Sequence, residues 1–358
     1  MFKGRSIQEL ATELGRRNEA KRDFIADSRS LNIKTEEEGG ATVMTMEKHD
    51  DPDEQFGTTE HLHRSMGSRL KIPAPFYDRI RREHAPVFDD MVNGLLHRQP
   101  ERRMVRTLDG NARFMASDRY RPIDYSQVAE AVLPILMEQD EMEVESSQVT
   151  DSKLYIKAFF PQRQAEMKVR QVGQIVKAGV MISNSEVGMG SFIVQQMVMV
   201  LKCTNGIVMP DASFRRTHIG RRIEGGEGAE EFFRDETRVA DDKALMMKMQ
   251  DVLRGSLQED NFLKAVGRLE DAANDEITGD PVKAVEEVSK RFVLTENEQG
   301  SVLNQLVRGG DLTRWGMCNA VTRVSQDADS YDRATSLERI GGDIIELPKS
   351  DWEVVNKN

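Results

Sequence analysis

Arginine dominates the part of the chain best placed to do chemistry, the run from Met104 to Ala116 with Asp109-Gly110 at its centre. Asp-Gly between alternating residues is a hairpin signal, because both turn positions accept positive φ. A two-residue turn pairs Leu108 with Asn111, Thr107 with Ala112, and Arg106 with Arg113. Two guanidinium groups then face each other across the ladder, which costs a few tenths to about 1 kcal/mol unless an anion lies between them. That anion is either an internal carboxylate or a phosphate. Residues 102–122 hold six arginines against two aspartates, with Tyr120 between Arg119 and Arg121. Arginine beside an aromatic ring suits a single-stranded phosphate backbone with a stacked base. The candidate nucleic-acid contacts are therefore Arg106, Arg113, Arg119, Tyr120 and Arg121.

A second basic run, Phe214 to Arg222, contributes Arg215, Arg216, Arg221 and Arg222 and contains no acid. Residues 223–242 follow with eight acids and two arginines. The two runs either neutralise each other or leave the basic one as a second phosphate-contacting strip.

Other chemistries find little purchase. His61 and His63 sit on a helical stretch, where i and i+2 do not share a face, so a metal is not expected there. Cys203 lies in an apolar strand pattern and reads as a core thiol. With Cys318 it forms no zinc pattern and no disulfide framework, which points to a reducing, cytoplasmic setting. Gly188-Met-Gly190 lacks the length, Lys and Ser/Thr of a phosphate-binding loop. Asp109, Asp118 and Asp124 are the carboxylates a metal-dependent nuclease would draw on, but their spacing matches no metal pattern. No catalytic residue, metal or cofactor is expected.

The chain must position these groups with 358 residues, 38% hydrophobic and 31% charged, at a formal net charge of −11. Such acidity argues against general polyanion binding but permits one local basic face. No stretch approaches the roughly 18 apolar residues of a membrane span, and the N-terminus lacks a signal-peptide core. The 19 methionines suit adaptable core packing or a subunit interface.

The coarse reading is an α+β fold. Ser6 to Glu9 fits a capping box before Leu10 and Leu14. Residues 35–60 read as mostly loop around one short strand, 41–46. Residues 59–97 read as helices in pieces, broken by Pro73 and Pro75. Residues 136–151 carry six acids and no Lys or Arg, and read as a solvated connection. Strands are expected at 153–160, 173–183, 191–202 and 206–209, joined as antiparallel hairpins, with Asn205-Gly206 as a second tight turn and 183–190 as a longer loop. A long helix at 229–254 follows. Asp280-Pro281 opens another, Thr295 to Glu298 caps a third, and 312–325 forms a fourth. The expected division is 1–60 (N-terminal helix and acidic loop), 61–225 (α+β core), 226–335 (helical region) and 336–358 (tail).

Several runs occur together and in order: Ala20-Lys-Arg-Asp-Phe24, Leu70-Lys-Ile-Pro73 with Phe76-Tyr77, Arg106-Thr-Leu-Asp-Gly110, Ser117-Asp-Arg-Tyr-Arg-Pro122, Ser183-Asn-Ser-Glu186, Cys203-Thr-Asn-Gly206, and Thr313-Arg-Trp-Gly316 with Asn319-Ala-Val-Thr322. Through them the chain resembles, over roughly residues 5–345, a phage- and plasmid-like family whose shared domain has no assigned function. The resemblance implies a protein of a bacteriophage, prophage or conjugative plasmid acting in a bacterial host. At fold level, hairpin-linked strands followed by a long helix resemble the core of Rad52-type single-strand annealing proteins. The leading expectation is a non-enzymatic, homo-oligomeric protein that binds and anneals single-stranded DNA in recombination or replication. The alternatives are an interaction protein that modulates a host defence or repair factor through the acidic stretches, and a metal-dependent nuclease.

Overall fold

A computed structural model of the chain describes residues 1–36, 41–98, 100–139, 141–169, 174–201, 204–210 and 235–357. The protein is α+β and divides into two compact units. One comprises residues 11–126 with the segment 186–189; the other comprises 1–10, 127–185 and 190–358.

The first unit is built on a six-stranded sheet. Its strands are β1 (Lys21–Asp27), β2 (Leu31–Thr35), β3 (Thr42–Met46), β4 (Glu54–Thr58), β5 (Arg102–Leu108) and β6 (Asn111–Ser117), in the order β1-β5-β6-β4-β3-β2. Every neighbouring pair is antiparallel except β4 with β6. The strand expected at 41–46 is β3; β4 is a second strand within 35–60, and with β2 before them they form a three-stranded antiparallel meander whose β2 buries Leu31, Ile33 and Thr35. Helices α2 (Glu60–Arg69), α3 (Ala74–Glu83) and α4 (Ala85–Arg98) join this sheet in one core. Leu62, Met66, Tyr77, Ile80, Phe88 and Val92 pack there with Ile33, Met44, Phe56, Val105 and Met115. Thr59 caps α2, and Pro73 and Pro75 stand at the start of α3, as proline's lost N–H allows there.

The second unit holds a five-stranded sheet in the order β11-β10-β9-β8-β7, antiparallel throughout, so sequence neighbours are spatial neighbours. The strands are β7 (Glu143–Val149), β8 (Leu154–Glu166), β9 (Ile175–Asn184), β10 (Ile193–Val200) and β11 (Asn205–Val208). Residues 143–149, expected as connection, are therefore an edge strand. Seven consecutive buried residues in β8 and nine in β9 mark a sheet covered on both faces. The Asn205-Gly206 turn is displaced: Val200 pairs with Asn205, so the reversal lies before Asn205 and Gly206 sits inside β11. A Cβ at Gly206 would lie 3.0 Å from Met197 Cε, the movable end of a core side chain.

The helices of this unit start with α1 (Ile7–Ala20), which continues into the first unit, and α5 (Tyr125–Met137), which begins there. The Ser6–Glu9 capping box forms in both directions. After the sheet come α6 (Asp235–Ser256), with Met249 and Leu253 buried as its spacing predicts, and α7 (Glu259–Asn274). Asp280 and Pro281 open α8 (Pro281–Phe292), Thr295 and Glu298 close a capping box on α9 (Glu296–Gly309), and α10 (Arg314–Val324) follows Thr313. The expected tail from 336 supplies most of α11 (Tyr331–Ile345), which starts in the expected helical region, and all of α12 (Lys349–Lys357). Ala334, Leu337, Ile340 and Ile344 of α11 are buried at helical spacing.

Candidate nucleic-acid interface

The hairpin forms at Asp109-Gly110, with φ of 52° and 74° at the two turn residues. Leu108 pairs with Asn111 and Thr107 with Ala112, as the two-residue turn requires. The ladder then slips: Arg106 pairs with Phe114, leaving Arg113 as the extra residue of a β-bulge. Two arginines directly opposite are avoided by this one-residue insertion, which re-aims the bulged side chain.

Both arginines still end on the segment 186–189, and both are interior. Arg106 is fully buried. Its Nε donates to both carboxylate oxygens of Asp23 at 3.0 Å, one terminal nitrogen donates to Asp124 Oδ1 at 2.6 Å, and the other donates to the Glu186 carbonyl at 2.5 Å. Lys21 also donates to Asp124. Burial opposes the Arg106 charge, but the hydrogen bonds and charges of Asp23 and Asp124 outweigh it and raise the guanidinium pKa. Burial likewise opposes the Asp124 carboxylate, and Arg106 and Lys21 outweigh it and lower its pKa. Arg113 lies 2.7 Å from Glu186, an ion pair whose geometry falls short of an aligned hydrogen bond. The other Glu186 oxygen accepts from the Tyr125 backbone N–H at 3.1 Å. The neutralising anions are thus internal carboxylates, one of the two options the sequence left open.

Tyr120 is part-buried, packs edge-on against Phe114 with ring centroids 5.1 Å apart, and accepts at its hydroxyl from the Gly188 N–H. Gly188 has φ +72°, and a Cβ there would meet the Phe114 ring at 2.9 Å, so only glycine fits. The ring of Tyr120 is therefore engaged in the fold rather than presented for stacking. Arg119 and Arg121 on either side are exposed. Arg102 is also exposed, at 71% of its side chain, and lies 4.0 Å from Asp118. Arg215, Arg216, Arg221 and Arg222 lie outside the described residues, as does Cys203.

The nuclease carboxylates are apart from one another in function: Asp109 binds Arg16 at 2.7 Å, Asp118 faces Arg102, and Asp124 holds Arg106 and Lys21. Among the described residues no group of three His, Cys, Asp or Glu is placed to hold a metal ion. His61 and His63 diverge as expected. His61 Nε2 is 2.7 Å from the Val187 carbonyl, whereas His63 is buried between Thr58 and Tyr77 at 3.0 and 2.9 Å. Burial holds the His63 imidazole at about 4.

One buried charge pair escaped the sequence reading. Lys157 of β8 donates to Glu338 of α11 at 2.6 Å, with both side chains fully buried. Its ammonium also lies 4.6 Å from the Tyr331 ring centroid. Burial lowers the Lys157 pKa, against the pull of Glu338. The signal was a lone lysine in the apolar run Leu154 to Phe160. Its partner, 181 residues away, had no local signature.

Among the described residues, no helix is long and apolar enough to cross a membrane. No curated protein and no solved structure matches the chain. A family model, described as a domain of unknown function, DUF932, matches residues 115–336, more than half of the chain. The bulged strand β6 from Met115, the five-stranded meander and most of the helical region fall within that match, and on it the chain belongs to the DUF932 family.

Proposed function

We propose that this protein binds single-stranded DNA and anneals complementary strands as a homo-oligomer, serving recombination or replication of a phage or plasmid. The observation that carries the reading is the uneven charge. Residues 61–126 hold 13 Lys and Arg against 8 Asp and Glu, a net of +5 inside a chain of −11. A polyanion is attracted to such a region while the rest of the chain repels it, although Arg81, Arg106 and Arg113 are paired with Glu60, Asp23 and Glu186 from outside it and leave the exposed arginines to carry the attraction. Arg102, Arg119 and Arg121, exposed at the base of the β5–β6 hairpin, are the phosphate contacts. Arg106 and Arg113 serve instead by holding segment 186–189 and β1 in place. Arg215, Arg216, Arg221 and Arg222 extend the same charge further along the chain. The antiparallel meander and α6 are the elements on which the annealing reading's fold-level resemblance to Rad52-type proteins rests.

The test is binding and annealing of complementary labelled oligonucleotides at low and moderate salt, with light scattering on the same sample. Salt-sensitive binding by a large oligomer with accelerated annealing is expected, since binding through phosphates releases counterions. No binding at low salt sinks the reading. Control of a host protein through acid is the second reading, and one observation favours it: Glu143 and Glu145 stand on the edge strand β7 with side chains 59% and 43% exposed. Binding of a basic protein but not of DNA, lost on Glu143→Lys with Glu145→Lys, selects that reading.

A further inference from the structure

From His61 to Arg82 the chain has six Lys and Arg and a single acid, Asp78. That run lies within α2, a short turn and α3, which add Glu60 at one end and Glu83 at the other, and it lies wholly outside the family match at 115–336. Five of the six cations are exposed: Arg64, Arg69, Lys71, Arg79 and Arg82. The sixth, Arg81, clamps Glu60 with one terminal nitrogen 2.6 and 2.8 Å from the two carboxylate oxygens, and so ties α3 to the first turn of α2. His63 and Tyr77 bond across the same pair of helices at 2.9 Å. The exposed cations therefore stand on a rigid base rather than on a loose loop.

Two details distinguish this surface from an ordinary solvated helix face. Phe76 is 42% exposed, with the Arg79 guanidinium 5.8 Å from its ring centroid. An aromatic ring left in water beside arginines is the pairing that takes an unstacked base and its phosphate together. Lys71 occupies the turn with φ +57°, a region that favours glycine or asparagine. The turn thus carries a cation at a position where glycine, having no Cβ, would be less strained.

We propose that the α2–α3 surface, Arg64, Arg69, Lys71, Phe76, Arg79 and Arg82, is a single-stranded nucleic-acid tract, with Phe76 as its base-stacking ring. It rests on the DNA-binding reading above and assigns that reading its principal surface, with Phe76 in the stacking role that the part-buried Tyr120 does not fill. A second copy of the chain could also answer to this charge, since the residues outside 61–126 sum to −16 (−11 less +5). The exposed ring beside Arg79 favours the nucleic acid.

Full-length protein is titrated with labelled oligothymidylate across a salt series, with light scattering and thermal melting on each variant. The variant Arg64→Ser, Arg69→Ser, Arg79→Ser, Arg82→Ser is expected to lower the slope of log K against log salt by about 3, from about 0.7 per lost phosphate contact. Phe76→Ala is expected to weaken binding roughly five- to a hundred-fold while leaving that slope unchanged. Lys71→Gly is expected to weaken binding while its Tm stays level or rises, which separates a binding role from a structural one. Wild-type binding retained by these folded variants, but lost in Arg119→Ser with Arg121→Ser, overturns the tract and leaves the DNA-binding reading intact. A wild-type protein that binds no oligothymidylate overturns both. Variants that change only the oligomeric state overturn the tract in favour of an interface between copies.

Discussion

Arg106 and Arg79 carry the same group within one unit into opposite surroundings. Arg106, on β5, is sealed from water and holds two carboxylates and a carbonyl. Arg79, on α3, stands in solvent beside a half-exposed phenylalanine. Both belong to arginine-rich runs that read alike in a residue count, 102–122 and 61–82. The strand turns alternate residues inward, so half of a basic strand is buried and must find internal counter-charges. A helix three turns long can keep its cations on the wet side while burying Leu62, Met66, Tyr77 and Ile80. Basic composition therefore predicts a binding surface only after the backbone period is known.

This contrast makes graded predictions. Arg106→Ala is expected to cost about 3–5 kcal/mol in urea unfolding, because it empties a fully buried site and removes the charged donor of Asp23, the part-buried Asp124 and the Glu186 carbonyl. A loss below about 1 kcal/mol would return Arg106 to the list of surface contacts. Glu186→Gln, which removes the counter-charge of Arg113, is expected to cost about 3 kcal/mol by the same assay. His63 sets a pH dependence. Its pKa falls from 6.5 in the unfolded chain to about 4 in the fold. The unfolded state then binds more protons between those values, so stability is complete above about 6.5 and declines as pH falls toward 4. The decline amounts to up to about 3 kcal/mol. A His63→Gln protein should lack that part of the slope when melting is followed across the same window. At the small end, Arg79→Ser is expected to change stability by less than about 0.5 kcal/mol while weakening DNA binding. A large stability loss there would mean that its contact with Phe76 supports the fold.

Local chemistry was the legible part of the sequence. The Asp109-Gly110 turn, the capping boxes at Ser6 and Thr295 and the Asp280-Pro281 helix start each depend on residues within a few positions of one another. The antiparallel meander was legible for the same reason, since its hairpins link consecutive strands. What escaped depends on distant partners. The parallel contact of β4 with β6, the pairing of β1 with β5 and the Lys157–Glu338 pair leave no local trace. The bulge at Arg113 escaped too, because it follows from where Ala112 and Met115 must point to join the core. The candidate site was legible in composition but not in orientation, because a residue count does not tell that β5 and β6 turn Arg106 and Arg113 inward while the arginines of 61–82 stay mostly exposed.

The order of strands in the two sheets also bears on how the chain reaches its fold. In β7 through β11 every ladder joins consecutive strands, so each hairpin closes a short loop. In the other sheet Lys21 must meet Leu108 before β1 has a partner, across the whole of α2, α3 and α4. Closing long loops slows folding, and local pairing speeds it. Pulse-labelled hydrogen exchange during refolding should therefore protect the amides of β8, β9 and β10 first and those of β1 last. The edge of β5 stays unpaired in the interval, a transient window in which a β1 strand from a neighbouring chain can take that place and exchange one copy's first strand for another's.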